Sequence, residues 1–179
     1  MSPITPPAVC FTGHRPEKIP FDTDTKLFLD MLCSVIYMHA CDAVRDGCKT
    51  FYCGMQRGVD IWSGKQVLRL KRVYPDIRLI CVSPYESEIR SRHGRDLIDY
   101  EELKGACDEF VALHKSYEKG CFFERNRYMV DRSGFVIGAV ADFKSGTAQT
   151  LAYAKRLGRT VHTIDLRRFA EDYGIPLKE

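Results

Sequence analysis

The sequence predicts an α/β fold: a three-layer sandwich with a mostly parallel sheet flanked by helices. Three observations predict it. Short apolar runs recur along the chain, helical patterns separate most of them, and the runs are almost continuously apolar instead of alternating. A strand covered by helices on both sides needs apolar side chains on both of its faces, so it loses the inside–outside alternation of a half-exposed strand. With 179 residues, 45% of them hydrophobic and 28% charged, the chain can bury a substantial core. No repeat, low-complexity stretch or linker divides it, so residues 1–179 are read as one domain.

The first strand is AVCFTG (8–13). Residues 23–45 follow, with Leu27, Phe28, Met31, Leu32, Val35 and Ile36 at helical spacing. KTFYCG (49–54) is the second strand, and 58–72 is a helix carrying Val59, Trp62, Val67, Leu68 and Leu70 until Pro75 stops the pattern. IRLICVS (77–83) is the third strand. The more polar stretch from Tyr85 to Lys104 is expected to hold a helix leaning over the sheet edge. EFVAL (109–113) is the fourth strand, and the loop HKSYEKGCFFERNR leads to a helix starting near Arg125. GFVIGAVA (134–141) is the fifth; a glycine-containing turn and a helix from about Gly146 follow. TVHTIDL (160–166) completes the set, and 167–179 read as a small terminal helix or tail.

Right-handed crossovers bring all strand C-terminal ends to one edge of such a sheet, and ligands bind there. The residues that gather at this edge are Thr12, Gly13, His14 and Arg15 after the first strand, and Gly54, Met55, Gly58 and Asp60 after the second. Pro84 and Tyr85 follow the third, Arg125 and Asn126 come after the fourth, and Asp142, Ser145, Gly146 and Thr147 follow the fifth. Each has a chemistry to offer. Gly146 lets backbone approach an anion, Thr147 supplies a hydroxyl, and the first N–H groups of the helix behind them are free to bind phosphate. Arg15 suits a phosphate or carboxylate. Asp60 suits ribose hydroxyls, or serves as a first-turn carboxylate favoured by the helix dipole. Ser and Thr ahead of a helix also serve as plain N-caps.

Composition narrows the function. The formal net charge is +3, too small an excess for a dedicated nucleic-acid binder. The local clusters Arg90, Arg92, His93, Arg95 and Arg125, Arg127, Arg132 are interleaved with Glu86, Glu88, Asp96, Glu124 and Asp131, which reads as solvated helix faces. Eight cysteines occur with no CxxC pair, several of them inside apolar runs, so reduced, buried thiols are expected and no metal site. No window reaches the roughly 18 apolar residues of a membrane span, and the N-terminus lacks a secretory pattern, so a cytoplasmic protein without a membrane partner is expected. GxGxxG, GxxxxGK[ST], GxSxG and HExxH are absent, which argues against a dinucleotide dehydrogenase, a P-loop NTPase, and serine or zinc hydrolases.

The set CFTGHRPEK, CGMQRGVDIW, LKRVYPDIRL, RNRYMVDRS and SGTAQTLAYAKRLG resembles the YpsA-like group of the SLOG superfamily across nearly the whole chain. That superfamily also includes DprA DNA-processing proteins and LOG phosphoribohydrolases. The resemblance implies a Rossmann-like domain that binds a nucleotide or ADP-ribose-like ligand, without a known reaction. It establishes no cofactor beyond such a ligand and leaves open a homo-oligomer. LOG enzymes cleave nucleoside monophosphates with an Arg near a helix start, matched by Arg125, and a Glu in GGxGTxxE. Here the second motif reads KSGTAQT, with Ser145 for a glycine and Gln149 or Thr150 where the acid belongs. A neutral side chain cannot offset charge on an oxocarbenium-like transition state. Three functions follow in order: nucleotide binding, LOG-like hydrolysis with Asp142 or Glu124 as the substitute acid, and DprA-like binding of single-stranded DNA.

Overall fold

The computed structural model describes residues 7–179. Its strands are β1 (Ala8–Gly13), β2 (Thr50–Cys53), β3 (Arg78–Tyr85), β4 (Glu109–His114), β5 (Phe135–Val140) and β6 (Thr160–Asp165). They form one sheet in the order β4-β3-β2-β1-β5-β6, with every pair parallel. The helices are α1 (Lys26–Arg45), α2 (Val59–Lys71), α3 (Gly94–Ala106), α4 (Cys121–Asp131), α5 (Gly146–Arg156) and α6 (Leu166–Asp172).

The apolar runs explain the layering. Along β1, Val9 and Phe11 point into a core shared with α1, α2, α3 and α6, while Cys10 points into a second core shared with α4 and α5. Both cores need apolar side chains, so β1, β3 and β5 are buried almost throughout; β2 alternates between buried and half-buried residues, and the edge strands β4 and β6 are the more exposed. Full burial of a side chain such as Phe11 or Leu32 stabilises the fold by roughly 1.5–3 kcal/mol.

Two expectations are corrected. The polar stretch after β3 divides into a 3-10 segment, Glu86–Ser91, and α3; the helix lies beside α2 with Tyr100 and Leu103 in the core, and the 3-10 segment is the part at the sheet edge. By length and composition α1 would pass for a membrane-crossing helix, with a mean hydropathy of 1.5 over 18 residues. It packs instead on α2 and β5, burying Leu32, Ile36, Ala40 and Ala43. All eight cysteines are free, and five are buried; burial pushes the Cys10 thiol up to about 12.

From β1 the chain runs outward in one direction through β2, β3 and β4, then returns to place β5 and β6 on the other side of β1. The crevice beyond the ends of β1 and β5 is therefore the topological switch point, the place where open parallel sheets hold ligands.

Candidate functional site

A cavity of about 270 Å3 opens at this switch point. Thr12, Gly13, His14 and Arg15 line it from the end of β1, Arg125 and Asn126 from α4, and Ser145, Gly146 and Thr147 from the start of α5. Asp60 enters from α2. Ten of the sequence-derived residues are thus gathered in one place.

The α5 end presents uncommitted backbone donors to the crevice. Ser145 is the N-cap: its Oγ accepts from the Ala148 N–H at 3.2 Å, and its own N–H is bonded to the Asp142 carbonyl. That leaves the N–H groups of Gly146 and Thr147 without a partner among the described residues. They carry the partial positive charge of the helix terminus. A Cβ built on Gly146 meets nothing within 4 Å, so the fold itself does not require glycine there. Asp142 is exposed and closes the preceding turn, its Oδ1 accepting from the Lys144 N–H at 2.9 Å. It does not line the cavity.

His14 joins the two sides of the crevice. Its Nε2 accepts from the backbone N–H groups of Ala141 at 2.8 Å and Asp142 at 3.2 Å, so its proton sits on Nδ1. Burial holds the imidazole below its ordinary range, which keeps Nε2 an acceptor. Arg15, by contrast, is exposed at the mouth, its guanidinium 5.9 Å from the Phe122 ring centroid.

The β2–α2 turn is tied down from inside. Arg125 donates through Nη1 to the Gly54 carbonyl and through Nε to Asn126 at 2.9 Å, and lies 3.7 Å from the Asp60 carboxylate. A side chain on Gly54 would sit 2.5 Å from Arg125 Nη1 and 2.7 Å from Asp60 Oδ2, so glycine here admits the ion pair. Gly58 has φ +88°, and its Cβ would lie 2.5 Å from the His14 carbonyl. Both glycines were expected to make room for a ligand; the room is taken by the protein's own groups, and neither lines the cavity. Met55 is fully buried at φ 67°, a left-handed conformation that no sequence signal announced. Asp60 is almost fully buried, and burial pushes its carboxyl up despite Arg125.

The sequence reading missed a buried polar network beside this turn. Glu88 accepts from Ser83 Oγ at 2.7 Å, Gln56 Nε2 at 2.6 Å and Arg92 Nη2 at 2.8 Å. Arg92 also donates to the Met55 carbonyl at 3.1 Å. Glu88 and Arg92 were expected on a solvated face; their side chains are 1% and 4% exposed. Their i,i+4 spacing just after a strand end was the one available signal. Tyr85 borders this network and meets Phe122 edge-on at 6.2 Å, whereas Pro84 is buried and lines neither this region nor the crevice. Arg57 reaches outward to Glu17 at 2.6 Å and Asp96 at 3.6 Å. Lys18 and Phe122 also line the crevice.

Thr150 donates to the Gly146 carbonyl at 2.9 Å and accepts from Asn126 at 3.1 Å, so it faces α4, whereas Gln149 is exposed. In the GTxxE register Thr150 is therefore the residue that occupies the acid's place. A larger cleft of about 480 Å3 lies between α1, α2 and the start of α3, but its Asp96, Asp99, Arg57, Lys65 and Arg95 are mutually paired. Chemistry and topology favour the smaller crevice.

A family model described as "YspA SLOG family" matches residues 9–166. The UPF0398 protein YpsA of Bacillus subtilis is 20% identical over 127 residues, covering 70% of this chain and 71% of that protein. A UPF0398 protein of Listeria innocua is 25% identical over 131 residues, covering 70% of each. The match to a Staphylococcus epidermidis relative, at 22% identity, spans 65% of this chain and 64% of that protein. Among solved structures, DNA processing protein A of Helicobacter pylori, described with a single-stranded DNA binding mode, superposes with a TM-score of 0.59 at 19% identity, over 95% of this chain and 74% of that one. DprA of Streptococcus pneumoniae gives the same score and identity over 88% of this chain and 50% of the other. These likenesses carry the fold.

Proposed function

We propose that this chain, which belongs to the YspA SLOG family, binds a nucleotide or ADP-ribose-like ligand through its phosphate at the β1–β5 crevice. One observation carries the reading: the backbone N–H groups of Gly146 and Thr147, without a partner among the described residues, belong to residues that line the crevice together with Arg125. Arg15 and Lys18 add positive charge at the mouth. Asp60, the one carboxylate lining the crevice among the described residues, is spent on Arg125 and the Gln56 N–H. With Thr150 in the acid's place, the geometry suits holding a nucleotide better than cleaving its N-glycosidic bond.

The test is calorimetric titration with AMP and ADP-ribose into wild type and Gly146→Val. The Cβ at Gly146 has open space, so the variant keeps the wild-type melting temperature while its methyls obstruct the anion. An affinity loss of about tenfold or more is expected, the worth of a charge-assisted hydrogen bond to phosphate. Unchanged affinity in the folded variant overturns the phosphate position, and absence of binding overturns the ligand class.

One observation favours a second reading, single-stranded nucleic acid. Arg127 lies 4.5 Å from the Phe123 ring centroid and 5.0 Å from that of Tyr153, with Arg156 5.8 Å from Tyr153, giving α4 and α5 an outer ladder of cations and rings. Such platforms stack bases with little sequence preference. Steeply salt-dependent binding of a labelled oligonucleotide that weakens in Tyr153→Ala would move the ligand to this face.

A further inference from the structure

The β2–α2 turn is flanked by two buried arginines, and only one of them lines the crevice. Arg125 donates to the carbonyl of Gly54, and Arg92 to the carbonyl of the next residue, Met55. Each is matched by a buried carboxylate, Asp60 for Arg125 and Glu88 for Arg92. On the Arg92 side lies a second cavity, of about 210 Å3, which shares Arg15, Gln56 and Phe122 with the crevice of about 270 Å3. Each alone is smaller than the roughly 300–1,000 Å3 usual for a small-molecule site. Joined through their common wall they fall within it.

The uncommitted charged groups of the second cavity are cationic. Both oxygens of Glu88 are engaged, by Ser83 on one side and by Gln56 and Arg92 on the other, and the Gln56 amide is held between Glu88 and Arg92. Neither is free to read the edge of a base. Arg92, with its side chain 4% exposed, commits only Nη2, and its Nη1 has no partner among the described residues. Arg57 and Arg15 complete the wall. The carboxylates that hold Arg57, on Glu17 and Asp96, are about half exposed, so those pairs are weak and yield to a better anion. A partly committed, buried guanidinium beside two further cations selects an anion.

We infer that the Arg92 cavity is a second anion subsite, so that the ligand carries two separated anionic groups, of the nucleoside 3′,5′-bisphosphate type. One group lies at the start of α5, the other between Arg92 and Arg57, and the part between them lies along Arg15 and Phe122. This rests on the nucleotide reading above. The experiment compares, at physiological salt, the adenosine and guanosine 5′-monophosphates, 5′-diphosphates and 3′,5′-bisphosphates. The 5′-diphosphate adds charge without separating it. The expected result is a bisphosphate bound about tenfold tighter than either other form. Arg57→Gln, and Ser91→Glu at an exposed position on the cavity rim, each remove most of that advantage. Equal affinities for the 5′-diphosphate and the bisphosphate overturn the second subsite, as does an advantage that survives both variants. If the monophosphate still binds and depends on Gly146, the nucleotide reading stands and only the second subsite falls. If no nucleotide binds, both fall.

Discussion

Replacing Arg125 with Leu removes the cation from a pair in which both side chains are almost wholly buried, Arg125 at 5% and Asp60 at 6% exposure, 3.7 Å apart. The carboxylate left behind has the Gln56 N–H at 3.3 Å and, among the described residues, no opposite charge within salt-bridge distance. Breaking a buried pair from one side costs about 3–5 kcal/mol, because an uncompensated charge stays in the interior. For a chain of this size that is a fall of roughly 6–20 °C in Tm. The double variant Asp60→Asn/Arg125→Leu keeps a polar group for the Gln56 N–H and buries no charge, so it regains a large part of the loss. The pH dependence has a definite sign. The folded-state pKa of Asp60 is already raised by burial, and removing Arg125 raises it further. A raised acid binds more protons folded than unfolded, so its contribution is fully present below the unfolded value of about 3.9 and is lost as pH rises through the folded one. The deficit of Arg125→Leu therefore shrinks on acidification. Urea unfolding of the wild type, the single variant and the double variant at pH 7 and pH 5 checks this. A double variant no more stable than the single one, or a deficit that does not change with pH, would refute the argument.

Gly58→Ala combines a positive φ with a Cβ 2.5 Å from the His14 carbonyl; a loss of about 2 kcal/mol or more is expected in urea unfolding, against less than about 0.5 kcal/mol for Gly146→Ala. Because burial lowers the folded-state pKa of His14, its contribution to stability is present above about pH 6.5 and is lost as pH falls below it. His14→Gln, whose amide oxygen can accept the same two N–H groups, should flatten the stability curve between pH 7 and pH 5. Free-base release from AMP should be slow or absent in the wild type, and brisk wild-type turnover would overturn the binding reading in favour of hydrolysis by another carboxylate.

The strands were legible to within a residue or two because the physics that buries them is local: β1 and β5 sit under helices on both faces, so each presents an unbroken apolar run. The crevice was legible for a topological reason, since parallel strands deliver their C-terminal ends to one edge whatever the details. What escaped was decided by tertiary closure. Glu88 and Arg92 look like solvated charges until Ser83, Gln56 and the Met55 carbonyl enclose them. His14 has the composition of a ligand contact, but the Nε2 that would serve one is occupied by two backbone N–H groups of the β5–α5 connection. Met55 adopts its left-handed conformation without any of the residue types that favour it.

The same closure decides what kind of chemistry this edge supports. Asp60 and Glu88 are the two buried carboxylates at the edge, and each serves as the internal counterion of an arginine that grips the β2–α2 turn. A carboxylate so engaged holds a cation in place; it does not present a free lone pair to an anomeric carbon or to an attacking water. The nitrogen atoms those arginines keep free, the two N–H groups of α5, and Arg15, Arg57 and Lys18 at the mouths then leave an excess of positive groups around both cavities. Such a set of groups lowers the free energy of a bound polyanion and opposes the positive charge that develops at an anomeric carbon in a cationic transition state. By that argument the proposed phosphate-bearing ligand would be held at this edge and not cleaved, and a hydrolytic role would require one of the two carboxylates to be released from its arginine.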